Sequence, residues 1–188
     1  MSKFINNDSI ICDDDQRLRE KSLDVALPLN KEDRELLEGL YKYVLDSTDP
    51  KIAQKDNLSP AVGIAAIQTG VKKKMLAVVI KDSEGKVIHE YALANPKILS
   101  YSLEEAYLEA GEGCLSVPKY HEGYVYRPRR LKVKAYNLLT DQEEIIKAKD
   151  YLAIVLGHEI DHLSGTLYYD HIDQKDPFKV KKDAFCID

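Results

Sequence analysis

Two histidines, with a glutamate directly after the first, give the clearest chemical signal in this sequence. They lie in the segment His158-Glu159-Ile160-Asp161-His162. Residues four apart project from one face of a helix, so both imidazoles can hold one divalent ion. Glu159 lies next to that face, where it can exchange a proton with a water molecule at the ion. The pattern indicates a metal-dependent amide hydrolase; the alternative is a chance match of two histidines hydrogen-bonded within the core.

A metal site of this kind needs a third protein ligand, and the sequence offers a cysteine for that place. One large metalloprotease group has a histidine six residues after the second motif histidine, where this chain has Tyr168. Another group uses a downstream glutamate, and no glutamate follows Glu159. Cys114 lies in the glycine-rich segment 111–116, whose backbone can approach an ion closely and whose thiol would be deprotonated there. Taken alone, Cys114 is equally typical of a small buried apolar residue.

Two segments have the pattern of helices that could position these groups. From Asp150 onward, apolar residues cover nearly every side of a helix, and Gly165 follows as a terminator. This pattern predicts a buried helix that carries both histidines. Nearer the amino terminus, Asn30 has the character of a helix cap. The apolar residues after it recur at helical spacing, which predicts an amphipathic helix over 31–48.

Between the two helices the pattern is that of strands. The segments with this pattern are 75–80, 87–93, 98–101, 131–136 and 143–149. Two prolines indicate a loop over 49–60. Because strands precede a buried helix, we expect an α+β fold. In it, antiparallel β-sheets pack around a buried C-terminal helix that carries the HExxH motif, and an N-terminal amphipathic helix is added.

Length, composition and charge are those of an ordinary globular protein. The 188 residues, with 44% hydrophobic and 31% charged side chains, predict a single catalytic domain over 1–188. The net charge of −5 argues against a broad nucleic-acid-binding face. Basic residues cluster over 127–134, but they alternate with apolar ones toward the end of this segment. We therefore expect the solvated face of a strand there, and no specific nucleic-acid site.

The cysteines and the amino terminus bear on location. There are three cysteines, an odd number, and they lie far apart in the sequence. The chain starts MSKFINNDSI, which contains no apolar run. We therefore expect no signal peptide, no membrane association, reduced thiols and a cytoplasmic protein.

Three short segments, in this order along the chain, resemble the three motifs of the peptide deformylases. They are AVGIAAIQ at 61–68, EGCLS at 112–116 and HEIDHLSG at 158–165. The region 31–48 also looks like the amino-terminal part of that family. The long stretch between the first two motifs, with Asn95-Pro96, resembles the class found in many Gram-positive bacteria and mycoplasmas. The resemblance implies a hydrolase of protein biosynthesis that removes the formyl group from the N-terminal formylmethionine of new polypeptides and releases formate.

The same resemblance implies a cofactor and partners. It assigns one divalent ion per chain to Cys114, His158 and His162, and in this family the ion is usually Fe²⁺. A mixed thiolate and imidazole site also accepts Zn²⁺, Ni²⁺ or Co²⁺. The implied partners are N-formylmethionyl nascent polypeptides, met at the ribosome, and we expect a monomer.

Three catalytic groups are implied beside the ligands. Glu159 takes a proton from the attacking water and later delivers it to the leaving amine. The side-chain amide of Gln68 and the backbone amide of Leu115 stabilise the negative charge that builds on the formyl oxygen. Without the resemblance, Gln68 is equally typical of a polar residue that closes a helix or a strand.

The resemblance also implies how the substrate lies. The peptide is expected to add as a strand along Gly63, with its methionine side chain in an apolar pocket. The residues expected to contact it are Val62, Gly63, Ile64, Glu112, Gly113, Tyr124 and Val155. Behind the metal ligands, Arg127 is expected to pair with Asp161 and to brace the site.

Two positions depart from the family pattern. This chain has Ala61 where the family usually has glycine, and Gly157 where it usually has glutamine. Neither position supplies a metal ligand, so both bear on turnover more than on metal binding. Three alternatives therefore stay open: a metalloprotease, a small structural metal-binding domain, and a homologue that binds formylated peptides without turning them over.

Overall fold

The computed structural model describes residues 3–188, which form an α+β structure of three α-helices and eight strands. The helices are α1 (Lys31–Ser47), α2 (Pro50–Asp56) and α3 (Tyr151–His162). The strands are β1 (Gly63–Ala65), β2 (Met75–Lys81), β3 (Val87–Tyr101), β4 (Glu105–Leu108), β5 (Arg127–Pro128), β6 (Arg130–Asn137), β7 (Gln142–Lys149) and β8 (Phe185–Ile187). The α+β class with antiparallel sheets, predicted from the order of strands and helices, is confirmed.

Five strands form the main sheet in the order β1-β2-β3-β6-β7, and every neighbouring pair in it is antiparallel. Strand β1 is one edge of this sheet, where Gly63 pairs with Val78 of β2. A smaller sheet has the order β5-β4-β8, in which β4 runs antiparallel to β5 and parallel to β8. The loop between β4 and β5 therefore starts and ends at neighbouring strands of the smaller sheet.

Helices cover both faces of the main sheet. Helix α3 packs on one face, over alternate side chains of β2, β3, β6 and β7. Helix α1 packs on the opposite face, over β1, β2 and β3. Of the β6 residues, only Tyr136 belongs to the core under α1. Because successive side chains of a strand point to opposite faces, each central strand contributes to both cores.

Helix α1 owes its start and its packing to its sequence. The side-chain oxygen of Asn30 accepts a hydrogen bond from the backbone nitrogen of Asp33 at 2.9 Å, which caps the helix. Leu36 and Leu40 lie one turn apart on the buried face. This apolar stripe packs onto the sheet, while the opposite side of the helix is exposed.

Helix α3 is enclosed for most of its length. Its buried residues are Leu152, Ala153, Ile154, Val155, Leu156, Glu159 and His162. After the helix, Gly165 turns the chain with a φ of +75°. A Cβ at this position would lie 2.3 Å from the Arg19 carbonyl oxygen, so glycine allows the amino-terminal segment to pack here. Within residues 3–188, no helix has both the length and the apolar character needed to cross a membrane.

Residues 49–60 differ from the sequence prediction. Their prolines indicate a loop, but the structure has helix α2 there. Pro50 occupies the first helical position, where its missing N–H is no loss. The Asp49 carboxylate caps the helix by accepting from the backbone nitrogens of Lys51 and Ile52 at 2.9 and 3.2 Å. Proline therefore marks the start of a helix here.

Strand β3 also differs, because it joins the two predicted strands 87–93 and 98–101 into one. The chain passes Asn95 with a φ of +52°, and the pairing with β6 shifts register between Ala94 and Lys97. Such an irregularity bends a strand without removing it from the sheet. The Asn95-Pro96 pair thus kinks β3 and does not end it.

Candidate active site

Cys114, His158 and His162 come together in the folded chain. Their ligand atoms all lie within 4.8 Å of one another. Cys114 Sγ is 3.3 Å from His162 Nε2, and the two imidazole ring centroids are 5.0 Å apart. The histidines stand one turn apart on α3, whereas Cys114 comes from the loop between β4 and β5. Two distant parts of the sequence therefore supply one group of donor atoms.

The donor set fits a metal ion. One thiol sulfur and two imidazole nitrogens are ligands that first-row divalent ions accept. Two buried atoms beside them, His162 Nδ1 and Glu159 Oε2, have no hydrogen-bond partner within residues 3–188. Buried polar atoms are normally hydrogen-bonded, so this group of side chains has the character of a site that a ligand completes.

Glu112 fixes the orientation of His158. His158 Nδ1 lies 2.7 Å from Glu112 Oε2, which leaves Nε2 free to act as a ligand. Arg127 donates to the same carboxylate through Nε at 2.6 Å and Nη2 at 3.0 Å. Burial by itself raises the pKa of Glu112, but the His158 hydrogen bond and the Arg127 charge lower it overall. The carboxylate expected to contact substrate is thus engaged with a histidine and an arginine.

The two histidines have opposite pKa shifts. Burial lowers the pKa of His162 well below its ordinary value. Burial also acts to lower the pKa of His158, but hydrogen bonds to Cys114 and Glu112 raise it to about 10. Without a cation, a proton therefore resides on His158 and not on His162. A metal ion that binds here has to displace that proton.

Arg127 also contacts the helix that carries the histidines. Its Nη1 donates to Asp161 Oδ2 at 2.7 Å, and His171 Nε2 lies 2.7 Å from the same oxygen. Arg127 thus ties the loop with Glu112 to helix α3. A Cβ at Gly157 would lie 3.4 Å from Arg127 Cδ, so the departure from the family's glutamine falls where this side chain packs.

Glu159 is buried beside the three donors, with 4% of its surface exposed. Burial raises the pKa of its carboxyl to about 7, although the charges of His158 and Arg127 act to lower it. A Cβ at Gly63 would lie 2.4 Å from Glu159 Oε1, so this glycine makes room for the carboxylate. A carboxyl with a pKa near neutrality can both accept and donate a proton at pH 7.

Gln68 lies on the other side of the thiol. Its Oε1 accepts a hydrogen bond from the backbone nitrogen of Ala65 at 2.8 Å. Its Nε2 donates to Ser116 Oγ at 3.2 Å and lies 3.6 Å from Cys114 Sγ. The carboxamide is therefore held with its donor end toward the cysteine.

These side chains border one cavity of about 580 Å³. The expected site residues that line it are Val62, Gly63, Gln68, Glu112, Gly113, Cys114, Leu115, Val155, His158 and Glu159. Ala61, the other departure from the family pattern, lies in the same wall. His162 is almost fully buried behind the other two donors.

Two expected substrate contacts lie elsewhere. Ile64 is fully buried in the core under α1, because alternation along β1 points its side chain into that core. Tyr124 packs its ring against those of Tyr107 and Phe178, with centroids 4.5 and 5.4 Å away. The structure does not bring either side chain to the cavity.

Three cavity residues are not expected from the sequence. Tyr151 and Ile154 line the cavity from α3, seven and four residues before His158. Those spacings place them on the histidine face of the helix, so helical periodicity contains the signal that identifies them. Leu108 lines the cavity from the end of β4, and no sequence signal identifies it.

Comparison with known sequences adds to the geometry. The chain matches the family described as Polypeptide deformylase over residues 7–178. Peptide deformylase 2 of Bacillus subtilis (strain 168) is 43% identical over 185 residues, which cover 98% of this chain and 100% of that protein. The peptide deformylase of Macrococcus caseolyticus (strain JCSC5402) is 45% identical over 180 residues, which cover 95% and 97% of the two chains.

Solved structures are similar as well. The crystal structure of peptide deformylase from Ehrlichia chaffeensis superposes with a TM-score of 0.70 at 31% identity, and 93% of this chain and 91% of that chain are covered. The complex of the Ehrlichia chaffeensis enzyme with actinonin gives a TM-score of 0.70 at 33% identity, with 94% and 92% covered. Because the family match and the relatives both extend over nearly the whole chain, this protein belongs to the polypeptide deformylase family.

Proposed function

We propose that this chain removes the N-formyl group from the N-terminal formylmethionine of new polypeptides and releases formate. In this proposal Cys114, His158 and His162 hold the metal ion, and Glu159 carries the proton. The observation that supports it most is the convergence of the three ligand atoms within 4.8 Å of one another at the wall of a cavity. The thiol is a ligand that the metalloprotease alternative does not use.

The fold serves this site in a specific way. We infer that α3, with its HExxH motif, is the metal-binding helix, and that the amphipathic helix α1 closes the opposite face of the sheet. Residues 1–188 then act as one catalytic domain and as a monomer. The substrates are nascent chains in the cytoplasm, met where they leave the ribosome.

The metal most consistent with the family is Fe²⁺, and Zn²⁺, Ni²⁺ or Co²⁺ are substitutes that the same donors accept. When bound, such an ion supplies Lewis acidity and lowers the pKa of water next to it. The chain contributes the orientation of its ligands, because Glu112 and Arg127 hold His158 in place. It also contributes a buried setting, which strengthens every electrostatic interaction within it.

Glu159 is proposed as the group that moves the proton. With a pKa of about 7, its carboxyl accepts a proton from the attacking water and returns it to the amine that leaves. Its Oε2 has no hydrogen-bond partner within residues 3–188, so that oxygen is available to water. Gly63 allows the carboxylate to lie against β1, next to the edge where we place the peptide.

Gln68 and Leu115 are proposed to stabilise the charge on the formyl oxygen. The hydrogen bond from Ala65 N to Gln68 Oε1 fixes the carboxamide before any substrate arrives. Leu115 follows the cysteine directly and lines the cavity, which places its backbone amide near the same point. A preorganised donor of this kind is typically worth about 3–4 kcal/mol in the transition state.

The peptide itself is proposed to add as a strand to β1. Strand β1 is an edge of the main sheet and pairs only with β2 among residues 3–188. An extended peptide can therefore pair with Gly63 through main-chain hydrogen bonds. Val62, Gly113 and Val155 line the cavity beside this edge and are proposed to contact the formylmethionine.

An anaerobic assay of formate release tests the proposal. Metal-loaded wild type and the Glu159→Gln variant are compared on a formyl-methionyl peptide, with Glu122→Gln as a control on an exposed glutamate. We expect Glu159→Gln to lose about 10²–10⁴-fold in rate at unchanged metal content, and the control to keep wild-type activity.

Two outcomes separate the alternatives. If wild type binds the formylated peptide but is as slow as Glu159→Gln, the chain is a binding homologue whose turnover is lost. Release of amino acids from unformylated peptides identifies a metalloprotease instead.

A further inference from the structure

The face of the main sheet that α1 covers continues beyond the helix as a bare, cationic surface. Alternation along β6 turns Lys132 and Lys134 to the same side as Tyr136, which belongs to the core under α1. We call this surface the basic face. It consists of six exposed residues: Lys97, Arg130, Lys132, Lys134, Lys147 and Lys149.

Strand pairing arranges these six residues as a compact array. Lys97 of β3 is opposite Lys134 of β6, and Lys132 is opposite Lys147 of β7. Arg130 is opposite Lys149 in the next position along the same two strands. Residues directly opposite on one face have Cβ atoms about 5 Å apart, and like charges there repel. The sheet therefore concentrates positive charge at a cost in its own stability.

Acidic neighbours neutralise only half of this charge. Arg130, Lys134 and Lys149 make ion pairs with Glu104, Glu143 and Asp150 at 2.9, 3.1 and 3.5 Å. The other three cations, at the centre of the array, make no ion pair with any residue of 3–188. They are Lys97, Lys132 and Lys147. In a chain whose net charge is −5, such a local excess of positive charge indicates an anionic partner.

We propose that the basic face binds the phosphate backbone of RNA. A regular array of flexible ammonium groups, with spacings of about 5 Å across strands and about 7 Å along them, suits a repeating anion. No aromatic residue belongs to the array, so the contact is with phosphates and is independent of base sequence. An anionic membrane fits less well, because the exposed Ile98 and Tyr101 pair with the buried Val133 and Leu131 and so belong to the opposite face.

The choice of RNA rests on the proposed function, since polypeptides that still carry a formyl group are found beside the RNA of the machinery that makes them. The basic face shares no residue with the cavity wall. Binding of RNA is therefore expected to hold the enzyme near its substrates without a direct effect on the chemistry.

The test measures fluorescence anisotropy of a labelled RNA hairpin with metal-loaded protein. The charge-reversal variant Lys132→Glu/Lys147→Glu removes two unpaired cations of the basic face. The control variant Lys51→Glu/Lys55→Glu makes the same net change on exposed lysines of α2. We expect at least tenfold weaker binding for the first variant and less than a twofold change for the control. For wild type, Kd should rise about tenfold or more between about 50 and about 200 mM salt.

Other results overturn the inference. They are equal weakening by both variants, no binding by wild type at the lower salt, or equal or better competition by polyglutamate or by phosphatidylglycerol vesicles than by unlabelled RNA. Formate release from a short formyl-methionyl peptide is measured on the same samples. It should be unchanged in both variants, so a failure of RNA binding is distinguished from a failure of the proposed deformylase activity.

Discussion

Arg127 is buried, and it contacts two carboxylates that lie on different parts of the chain. A buried charge is tolerated when it is paired and hydrogen-bonded, and Glu112 and Asp161 meet that condition here. Through Glu112 the arginine acts on His158, whose second nitrogen is proposed to hold the ion. The position of a metal ligand thus depends on side chains that do not touch the metal.

Replacement of Glu112 by glutamine tests this dependence. The variant leaves Arg127 buried without its full counter-charge and weakens the partner of His158 Nδ1. We expect metal affinity to fall about 10–100-fold, as is typical when the partner of a ligating histidine is lost. Competition with a chelator measures the affinity. Glu105→Gln, which changes an exposed glutamate paired with Lys181, serves as the control; equal affinities in the two variants would contradict the expected role.

At the scale of elements, the end of α3 is joined to the amino-terminal segment. Gly165 has a positive φ, and it also lies against the backbone of Arg19. The Arg19 side chain reaches Gly165 O at 3.4 Å and Tyr169 Oη at 2.9 Å, and it forms an ion pair with Asp170. The turn after the metal-binding helix is therefore packed from both directions.

Two glycine substitutions separate the effects of backbone conformation and of packing. Gly85 has a φ of +81°, and a Cβ added there would meet nothing within 4 Å, whereas a Cβ at Gly165 would meet the Arg19 carbonyl at 2.3 Å. We expect Gly85→Ala to cost about 1 kcal/mol of unfolding free energy. Gly165→Ala should cost at least about 3 kcal/mol, because crowding adds to the strain. Urea unfolding measures both, and similar losses would show that packing at Arg19 contributes little.

For the whole molecule, the important point is that the metal ligands come from two separate regions. The β4–β5 loop supplies Cys114, and α3 supplies His158 and His162. A ligand that binds only the native state stabilises it by mass action. In a chain of this type the metal is therefore expected to affect the stability of the fold as well as its chemistry.

Metal removal should consequently lower the melting temperature. At a free metal concentration of about 1,000 times Kd the stabilisation is about 4 kcal/mol. In a protein of this size that corresponds to about 8–16 °C in Tm. Differential scanning calorimetry with Zn²⁺ and with a chelator measures the shift. Cys114→Ser should show a much smaller one, and a full-sized shift in that variant would assign the stabilisation to another site.

Local patterns are sufficient to predict the α+β class and several of the strands. Helical and strand periodicities depend on neighbours in sequence, and they identify β6 and β7 close to their observed bounds. Contacts between distant segments are different. No spacing rule shows that Cys114 lies 3.3 Å from His162, and only the ordered motifs of a known family indicate it.

The errors in the site have the same origin. Membership of a motif places Ile64 in the substrate pocket, but its orientation follows from the pairing of β1 with β2. Its place before the cysteine assigns Glu112 to the substrate, whereas its hydrogen bonds to His158 and Arg127 depend on how the loop meets α3. Side-chain direction and partners are properties of the tertiary structure, so the sequence pattern does not contain them.

Helix α3 is both the centre of the apolar packing and the carrier of the reactive groups, and this limits how the protein can be engineered. Substitutions that improve packing along α3 would also move Glu159 or a histidine one turn away. A directed-evolution search for thermal tolerance should therefore recover few changes in this helix and many on the exposed sides of α1 and β7. Heat resistance and catalytic competence can then be improved independently only at a distance from the helix that unites them.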